Sequence, residues 1–357
     1  FVAATKQDQG KTTVSLGLMA AFSDRCGPAG FIKPVGQRYV EIDGTRVDED
    51  VALMHAIFGG PALADMSPVT VARSFTREYI QNPQPDLLAR QIRQSFARVA
   101  DGRASVVIEG TGHAGVGSCF DTSNADVAAL LGANVILVTS GGIGRPIDEV
   151  MLNRALFEDR GVELLGVVLN KVLPRKLEEI RDVVDKGLGR LGIELLGCIP
   201  LEPLLARPSM GQILEEIGGE LVHGEAALHN SVDKVIVGAM AAHKALKYIE
   251  PGCLLITPGD RGDLLLAAVS TTAVGTRRAE QIAGILLTGG EVPHDNIMEL
   301  IRQTDLPVIL VDTDSYSAAA AVHSLKVKIQ PTDRQKIETA PRLVRDHVKL
   351  DRILERL

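Results

Sequence analysis

Tryptophan is absent from the 357 residues, and aromatic side chains amount to only 3%. A core without large rings has to be filled by Val, Ile, Leu and Ala, which is the composition of parallel strands covered on both faces by helices. Basic charge is also short. The 38 Lys and Arg are outnumbered by 45 Asp and Glu, giving a net charge of −7, and no basic stripe interrupts the balance. This argues against a nucleic-acid partner, because general nucleic-acid binders neutralise phosphates with a Lys/Arg surplus. The four cysteines, Cys26, Cys119, Cys198 and Cys253, lie far apart with no Cys-x-x-Cys pair. Neither a zinc knuckle nor a dithiol redox motif is suggested, and reduced thiols in a cytoplasm are expected. No apolar run approaches the ~20 residues that span a bilayer and no signal-peptide pattern opens the chain, so no membrane partner is expected. The chain starts at Phe1 rather than Met with a short apolar run, which predicts a few further residues before it.

What is present is a regular alternation. Hydrophobic content of 45% with 23% charge supports a sizeable core, and the length suits about two domains of roughly 150 residues. Strand-like runs at 1–4, Phe31–Val35, Ser105–Gly110, Asn134–Thr139, Leu164–Asn170 and Glu194–Pro200 are separated by amphipathic stretches near 47–58, 86–100, 124–132, 146–160 and 175–191. Strand, helix, strand, helix predicts an α/β domain with a parallel sheet flanked by helices. Ligands in such sheets lie beyond the carboxyl ends of the strands, so chemistry is to be sought there.

The first strand runs into Thr5-Lys6-Gln7-Asp8-Gln9-Gly10-Lys11-Thr12-Thr13, ahead of an apolar helical stretch from Val14. A Gly-Lys-Thr at a strand-to-helix turn is suited to phosphate: backbone N–H groups from Gln9 to Thr13 hold oxygens, Lys11 adds a cation, and the Thr12 hydroxyl ligates Mg²⁺. The pattern is degenerate, with Thr5 where glycine is usual. Asp8 and Gln9 either position an attacking group or are exposed. Lys33, after the second strand, either neutralises an anion or is a snorkelling surface lysine. Glu109, ending a buried β-branched run, points to a metal or a metal-held water, or else to an exposed loop start. Asn170, after Val167-Val168-Leu169, presents donor and acceptor to an adenine edge or caps a helix. Gly141-Gly142-Ile143-Gly144 either closes over a nucleotide or packs as a tight turn. His113 is expected to be a hydrogen-bonded loop residue.

Taken in order, the loop at 5–13, Lys33-Pro34-Val35, Asp48-Glu49-Asp50, Glu109-Gly110-Thr111-Gly112, Val168-Leu169-Asn170-Lys171 and Gly197-Cys198-Ile199-Pro200 resemble dethiobiotin synthetase over about the first 200 residues. The resemblance implies a P-loop nucleotide-binding domain taking ATP and Mg²⁺. It implies metal ligands at Thr12, Asp50 and Glu109, with Asp48 as the alternative to Asp50, phosphate and substrate contacts at Lys33, and adenine contact at Asn170. Lys6 stands where the deviant P-loop class carries its signature lysine, implying a homodimer that sandwiches nucleotide. With Lys11 and Lys33, Lys6 completes the implied catalytic set. Gly36-Gln37-Arg38 replaces that family's Ala-Ser-Gly, which puts biotin chemistry in doubt.

The second half carries strand-like runs at Cys253–Thr257, Ile282–Thr288 and Pro307–Val311 with helical stretches at 261–273 and 293–304, which predicts a smaller α/β domain. Pro258-Gly259-Asp260-Arg261-Gly262-Asp263 followed by Thr288-Gly289-Gly290 is similar to the DRTGG domain, which accompanies a dethiobiotin synthetase-like module in the N-terminal region of long phosphate acetyltransferases. A small anionic metabolite near Asp260-Arg261 and Gly289-Gly290, or a simple capped turn, is expected there. The expected division is 1–206 for the P-loop domain, 207–330 for the DRTGG-like domain and 331–357 for a charged helical tail, without a transacetylase domain. The ATPase domain of cobyrinic acid a,c-diamide synthase is also similar, but no glutaminase nucleophile elbow accompanies it. Two functions follow: a regulatory module sensing nucleotide and metabolite, or an ATP-dependent ligase activating a carboxylate or carbamate.

Overall fold

The computed structural model describes residues 1–274 and 282–357. Two units divide the chain: 1–202 with 329–357, and 203–328.

The first unit is built on six parallel strands: β1 (Val2–Ala4), β2 (Ala29–Ile32), β3 (Ser105–Ile108), β4 (Val135–Ser140), β5 (Leu164–Val172) and β6 (Leu195–Pro200). β1 pairs with β4, β4 with β5, β5 with β6, and β2 with β3, all parallel. The two groups join where Val2 bridges Glu109 and the Gly110 N–H donates to the Val2 carbonyl at 2.9 Å, so the order is β2-β3-β1-β4-β5-β6. Ala3, Ala4, Leu137, Val167 and Leu169 are fully buried, as continuous apolar runs require of strands covered on both faces. The main helices are α1 (Lys11–Cys26), α2 (Glu49–Phe58), α3 (Pro85–Ala100), α4 (Gly144–Asp159) and α5 (Leu177–Gly189). All six expected strands are present. β2 ends at Ile32, which leaves Lys33 in the loop beyond it.

An antiparallel hairpin, Tyr39–Ile42 with Thr45–Asp48, was not expected and leads directly into α2. Its turn is Asp43-Gly44, both with positive φ (49° and 73°), the residue pair that suits a two-residue hairpin.

The second unit has a five-stranded sheet: β7 (Glu220–His223), β8 (Lys234–Val237), β9 (Cys253–Pro258), β10 (Gly284–Thr288) and β11 (Val308–Leu310), ordered β7-β11-β10-β9-β8. β8 to β11 run parallel and β7 is antiparallel at the edge. Helices α6 (Met210–Ile217), α7 (Gly262–Val274), α8 (Asp295–Arg302) and α9 (Ser315–His323) flank it over two apolar clusters.

The last residues, expected as a separate charged tail, are grouped instead with the first unit. Helix α10 (Arg334–His347) packs on α1: a Cβ built on Gly17 would lie 2.3 Å from Val344 Cβ, so only glycine lets the two helices approach this closely. Val348 bridges Gly197 of β6, and Leu350 and Ile353 of α11 (Leu350–Leu354) are buried. Most of the charge that marks 331–357 as a tail is exposed, while Ala340, Leu343 and Val344 are buried together with Lys336, which pairs with Asp333.

Candidate functional site

The β1–α1 turn places Gly10 at the N-cap of α1 with φ 88° and ψ 34°, a left-handed conformation that glycine adopts without strain. No side chain caps α1 and no acidic residue lies in its first turn. Its first N–H groups and the positive end of the helix dipole are therefore directed at whatever lies beyond β1, as an anion site requires. Asp8 also has positive φ (60°), so the loop turns twice before the helix.

Four groups hold this loop. Asn170, at the end of β5, donates from Nδ2 to the Gln9 carbonyl at 2.9 Å, and its Oδ1 accepts from the Lys171 N–H at 2.8 Å. A Cβ on Gly10 would meet Asn170 Nδ2 at 2.1 Å, so loop and asparagine are fitted to each other. Lys171, itself at φ 57°, donates from Nζ to the Asp8 carbonyl at 2.6 Å. Thr5 is buried without positive φ, which explains why the usual glycine is dispensable there. Its hydroxyl hydrogen-bonds Thr139 Oγ1 at 2.9 Å and Glu149 Oε2 at 3.1 Å. Thr13 is buried, and Gln9 Oε1 is buried with no hydrogen-bond partner.

Beyond the loop the strand ends converge. Thr12 Oγ1 lies 3.1 Å from Asp50 Oδ1 and 3.2 Å from Glu109 Oε1, which brings together three residues separated by up to 97 positions. The hairpin delivers Asp50. Asp48 is the N-cap of α2 and accepts from the Asp50 N–H at 3.0 Å, so of the two aspartates Asp50 is the one facing Thr12. Lys33 is buried rather than snorkelling, and its ammonium pairs with Asp50, with Asp48 at 3.0 Å and with Glu109 at 3.5 Å. Burial alone would lower its pKa, but Asp50, Asp48 and Glu109 outweigh that and hold it well above the ordinary lysine value. Burial lowers the pKa of Lys11, with Glu109 opposing. Glu109 is pushed up to about 7, first by burial and then by the Asp50 charge, against the pull of Lys33 and Lys11. Its Oε2 is buried with no partner at hydrogen-bond geometry, although the Ser15 hydroxyl also acts to lower the Glu109 pKa.

Among the described residues no group of three or more His, Cys, Asp or Glu is arranged to hold a metal ion by itself. Mg²⁺ in a P-loop site does not need one, because it keeps waters and phosphate oxygens and takes only a hydroxyl and one or two carboxylates from the protein. Thr12, Asp50 and Glu109 are such a hard-oxygen set, and the orphaned Glu109 Oε2 fits a ligand not supplied by the chain.

Lys6 stands apart from this cluster. Its ammonium lies 2.5 Å from Glu149 Oε1, with its side chain 44% exposed. Burial pushes the Glu149 pKa up, yet hydrogen bonds from Lys6, Arg145 and Thr5 hold it below the ordinary glutamate value. Gly141 to Gly144 form the turn between β4 and α4, with Gly141 against the Val172 backbone. His113 is exposed and accepts from the Gly115 N–H at 3.2 Å. In the second unit, Arg261 donates to the Gly238 carbonyl at 3.0 Å, the Met240 carbonyl at 2.8 Å and the Asp263 carboxylate at 2.9 and 3.0 Å. Gly289 and Gly290, both with positive φ, donate to the Thr313 and Val311 carbonyls.

Lys171 and Glu149 are loop-holding residues that sequence reasoning missed, and Thr5 was read there only as a departure from glycine. The bond from Lys171 Nζ to the Asp8 carbonyl joins two residues of positive φ that are 163 positions apart, and no local pattern signals it.

A family model described as AAA domain matches residues 1–209, and one described as DRTGG domain matches residues 212–325. The chain belongs to this AAA-domain family and carries a DRTGG domain after it. It is 28% identical to the phosphate acetyltransferase of Nitratidesulfovibrio vulgaris over 100% of this chain and 51% of that protein. It is 31% identical to that of Pseudomonas putida over 98% of this chain and 50% of that protein. The chain thus spans about half the length of the curated relatives it matches, and the two domains match the N-terminal region of long-form phosphotransacetylases. A solved structure of the CBS and DRTGG domains of the regulatory region of Clostridium perfringens pyrophosphatase, complexed with the activator diadenosine tetraphosphate, is similar at 20% identity and a TM-score of 0.28, covering 45% of this chain and 74% of that one. No helix among the described residues is long and apolar enough to cross a membrane.

Proposed function

We propose that this AAA-domain chain binds Mg-ATP at the Gly10-Lys11-Thr12 loop and acts as a regulatory module, with the DRTGG domain reading a nucleotide or small anionic metabolite. The observation that carries the reading is the Thr12 hydroxyl set between Asp50 and Glu109 behind an uncapped helix N-terminus. The α1 N–H groups and Lys11 bind phosphate oxygens, and Thr12, Asp50 and Glu109 would hold Mg²⁺. When bound, the ion would neutralise phosphate charge and orient the nucleotide. Asn170 keeps the loop in shape, and the adenine contact implied for it by the resemblance belongs to the same reading. A homodimer placing Lys6 against a neighbouring nucleotide belongs to the same reading, with Lys6 leaving Glu149 to do so. In a longer phosphate acetyltransferase the module would set the activity of the remainder.

A second reading rests on Lys33. A charged, buried lysine next to a phosphate site suits an enzyme that phosphorylates a carboxylate or carbamate, with Lys11 and Lys33 stabilising charge on the transferred phosphoryl. Phosphate release from the full chain saturated with Mg-ATP separates the two. The regulatory reading expects turnover slower than about one per minute, below the usual range for phosphotransfer enzymes. Release within seconds, stimulated by a carboxylate acceptor, would replace it with the ligase.

A further inference from the structure

The Lys33 ammonium is placed against the carboxylates through which a divalent cation would be held. Lys33 is 5% exposed, and Asp50 and Glu109, 5% and 0% exposed, each face both the Thr12 hydroxyl and Lys33. An ammonium and a doubly charged cation repel, and in a buried site that repulsion is poorly screened. A cation arriving alone would have to drive Lys33 from Asp50 and Glu109 and leave its buried charge answered by Asp48 alone, which is unfavourable. Phosphate changes this balance. It brings negative charge to the same strand ends, and the flexible four-carbon stem of lysine lets the ammonium turn from Asp50 and Glu109 toward it. Asp48 stays fixed as the N-cap of α2 and remains a partner for Lys33 throughout.

We propose that Lys33 is an internal counter-cation that keeps Asp50 and Glu109 closed to divalent metal until nucleotide phosphate draws it away, so that metal and nucleotide enter together and never metal first. The inference rests on the nucleotide reading of this site and adds to it an order of binding. Lys33 thereby changes partner rather than serving only as a fixed phosphate contact, and nucleotide-free protein is held in a metal-free state at cellular Mg²⁺.

The experiment is a Mn²⁺ titration of the full, nucleotide-free chain, with free Mn²⁺ followed by electron paramagnetic resonance, on wild type, Lys33→Met and Lys33→Arg. Thermal melts with and without Mg²⁺ accompany it. Wild type and Lys33→Arg, which keep the cation, are expected to reach half-saturation only above about 0.5 mM Mn²⁺, as for a site of low ligand charge. Lys33→Met is expected to bind Mn²⁺ at least about tenfold more tightly. Mg²⁺ at about ten times its dissociation constant raises the melting temperature of Lys33→Met by several degrees and leaves wild type unchanged. The proposal is overturned if nucleotide-free wild type is half-saturated below about 0.5 mM, or if folded Lys33→Met binds Mn²⁺ no more tightly than wild type. Should Lys33→Met not fold, the wild-type titration decides at the same threshold. ATP titrated in Mg²⁺ on the same samples keeps the two ideas apart. No ATP binding by wild type removes the nucleotide reading, whereas ATP binding together with Mn²⁺ affinity insensitive to Lys33→Met removes only the role of Lys33.

Discussion

Each unit has its own mainly parallel sheet with glycine-bearing turns at the carboxyl ends of the strands, yet the two treat charge there in opposite ways. In the first unit, Lys33, Asp48, Asp50 and Glu109 are buried together, Glu109 is pushed toward neutrality and one of its oxygens has no partner. In the second, the charged groups at the strand ends are more exposed and bonded within the chain. Arg261 clamps Gly238, Met240 and Asp263, and Asp314 caps α9 through the Tyr316 and Ser317 N–H groups. Buried charge is unfavourable unless something answers it: the cluster of three carboxylates around one ammonium leaves charge for a further group to answer, while the Arg261 clamp is already satisfied within its own unit. The glycine-rich turns alone do not distinguish the two; the burial of charge does.

The comparison is broken most severely at Lys11. Lys11→Ala is expected to weaken Mg-ATP binding more than about 100-fold, or roughly 2.7 kcal/mol, with the fold retained. The close approach of α10 to α1 comes next. Gly17→Ala drives a methyl into Val344 and is expected to destabilise the first unit by about 1–3 kcal/mol, read by denaturant unfolding. Arg261→Ala then sharpens the contrast: a loss of about 1–2 kcal/mol in the second unit, with ATP affinity unchanged. An accompanying loss of ATP affinity would mean that the second unit is more than a clamp. The smallest effect belongs to Glu149→Gln. Glu149 is depressed below its ordinary value in the folded chain, so its carboxylate stabilises the fold above the unfolded pKa and that contribution is lost as pH falls through the folded one. Its partner Lys6 is nearly half exposed, so the deficit of Glu149→Gln at neutral pH is expected to be below about 1 kcal/mol and to vanish in acid, as melts between neutral and low pH would show.

Much of the first unit was legible in the sequence because its signals are local. Gly10-Lys11-Thr12 lies on a strand-to-helix turn, Glu109 closes a β-branched run, and the apolar runs mark all six strands. Thr12, Asp50 and Glu109, far apart in the sequence, lie side by side, and the N-cap role of Asp48 separates it from Asp50. What was not legible is non-local. Whether Lys33 is buried or snorkels depends on a hairpin that brings Asp48 and Asp50 over it, and that hairpin had only Asp43-Gly44 as its signal. Thr5 departs from the usual glycine, and its reason lies 134 and 144 residues away in Thr139 and Glu149. The return of α10 onto α1 rests on Gly17, which inside a helix resembles a weak point until its partner Val344 is seen. In the second unit the strands β7 and β8, at the two edges of the sheet, escaped notice because they are short and largely uncovered.

The most direct test is a calorimetric titration of ATP, with and without Mg²⁺, into the full wild-type chain and into Lys11→Ala. The account predicts Mg²⁺-dependent saturation of one site per chain in wild type and its loss in the variant. Folded wild type that takes up no ATP in Mg²⁺, or Lys11→Ala that binds as wild type does, would contradict it.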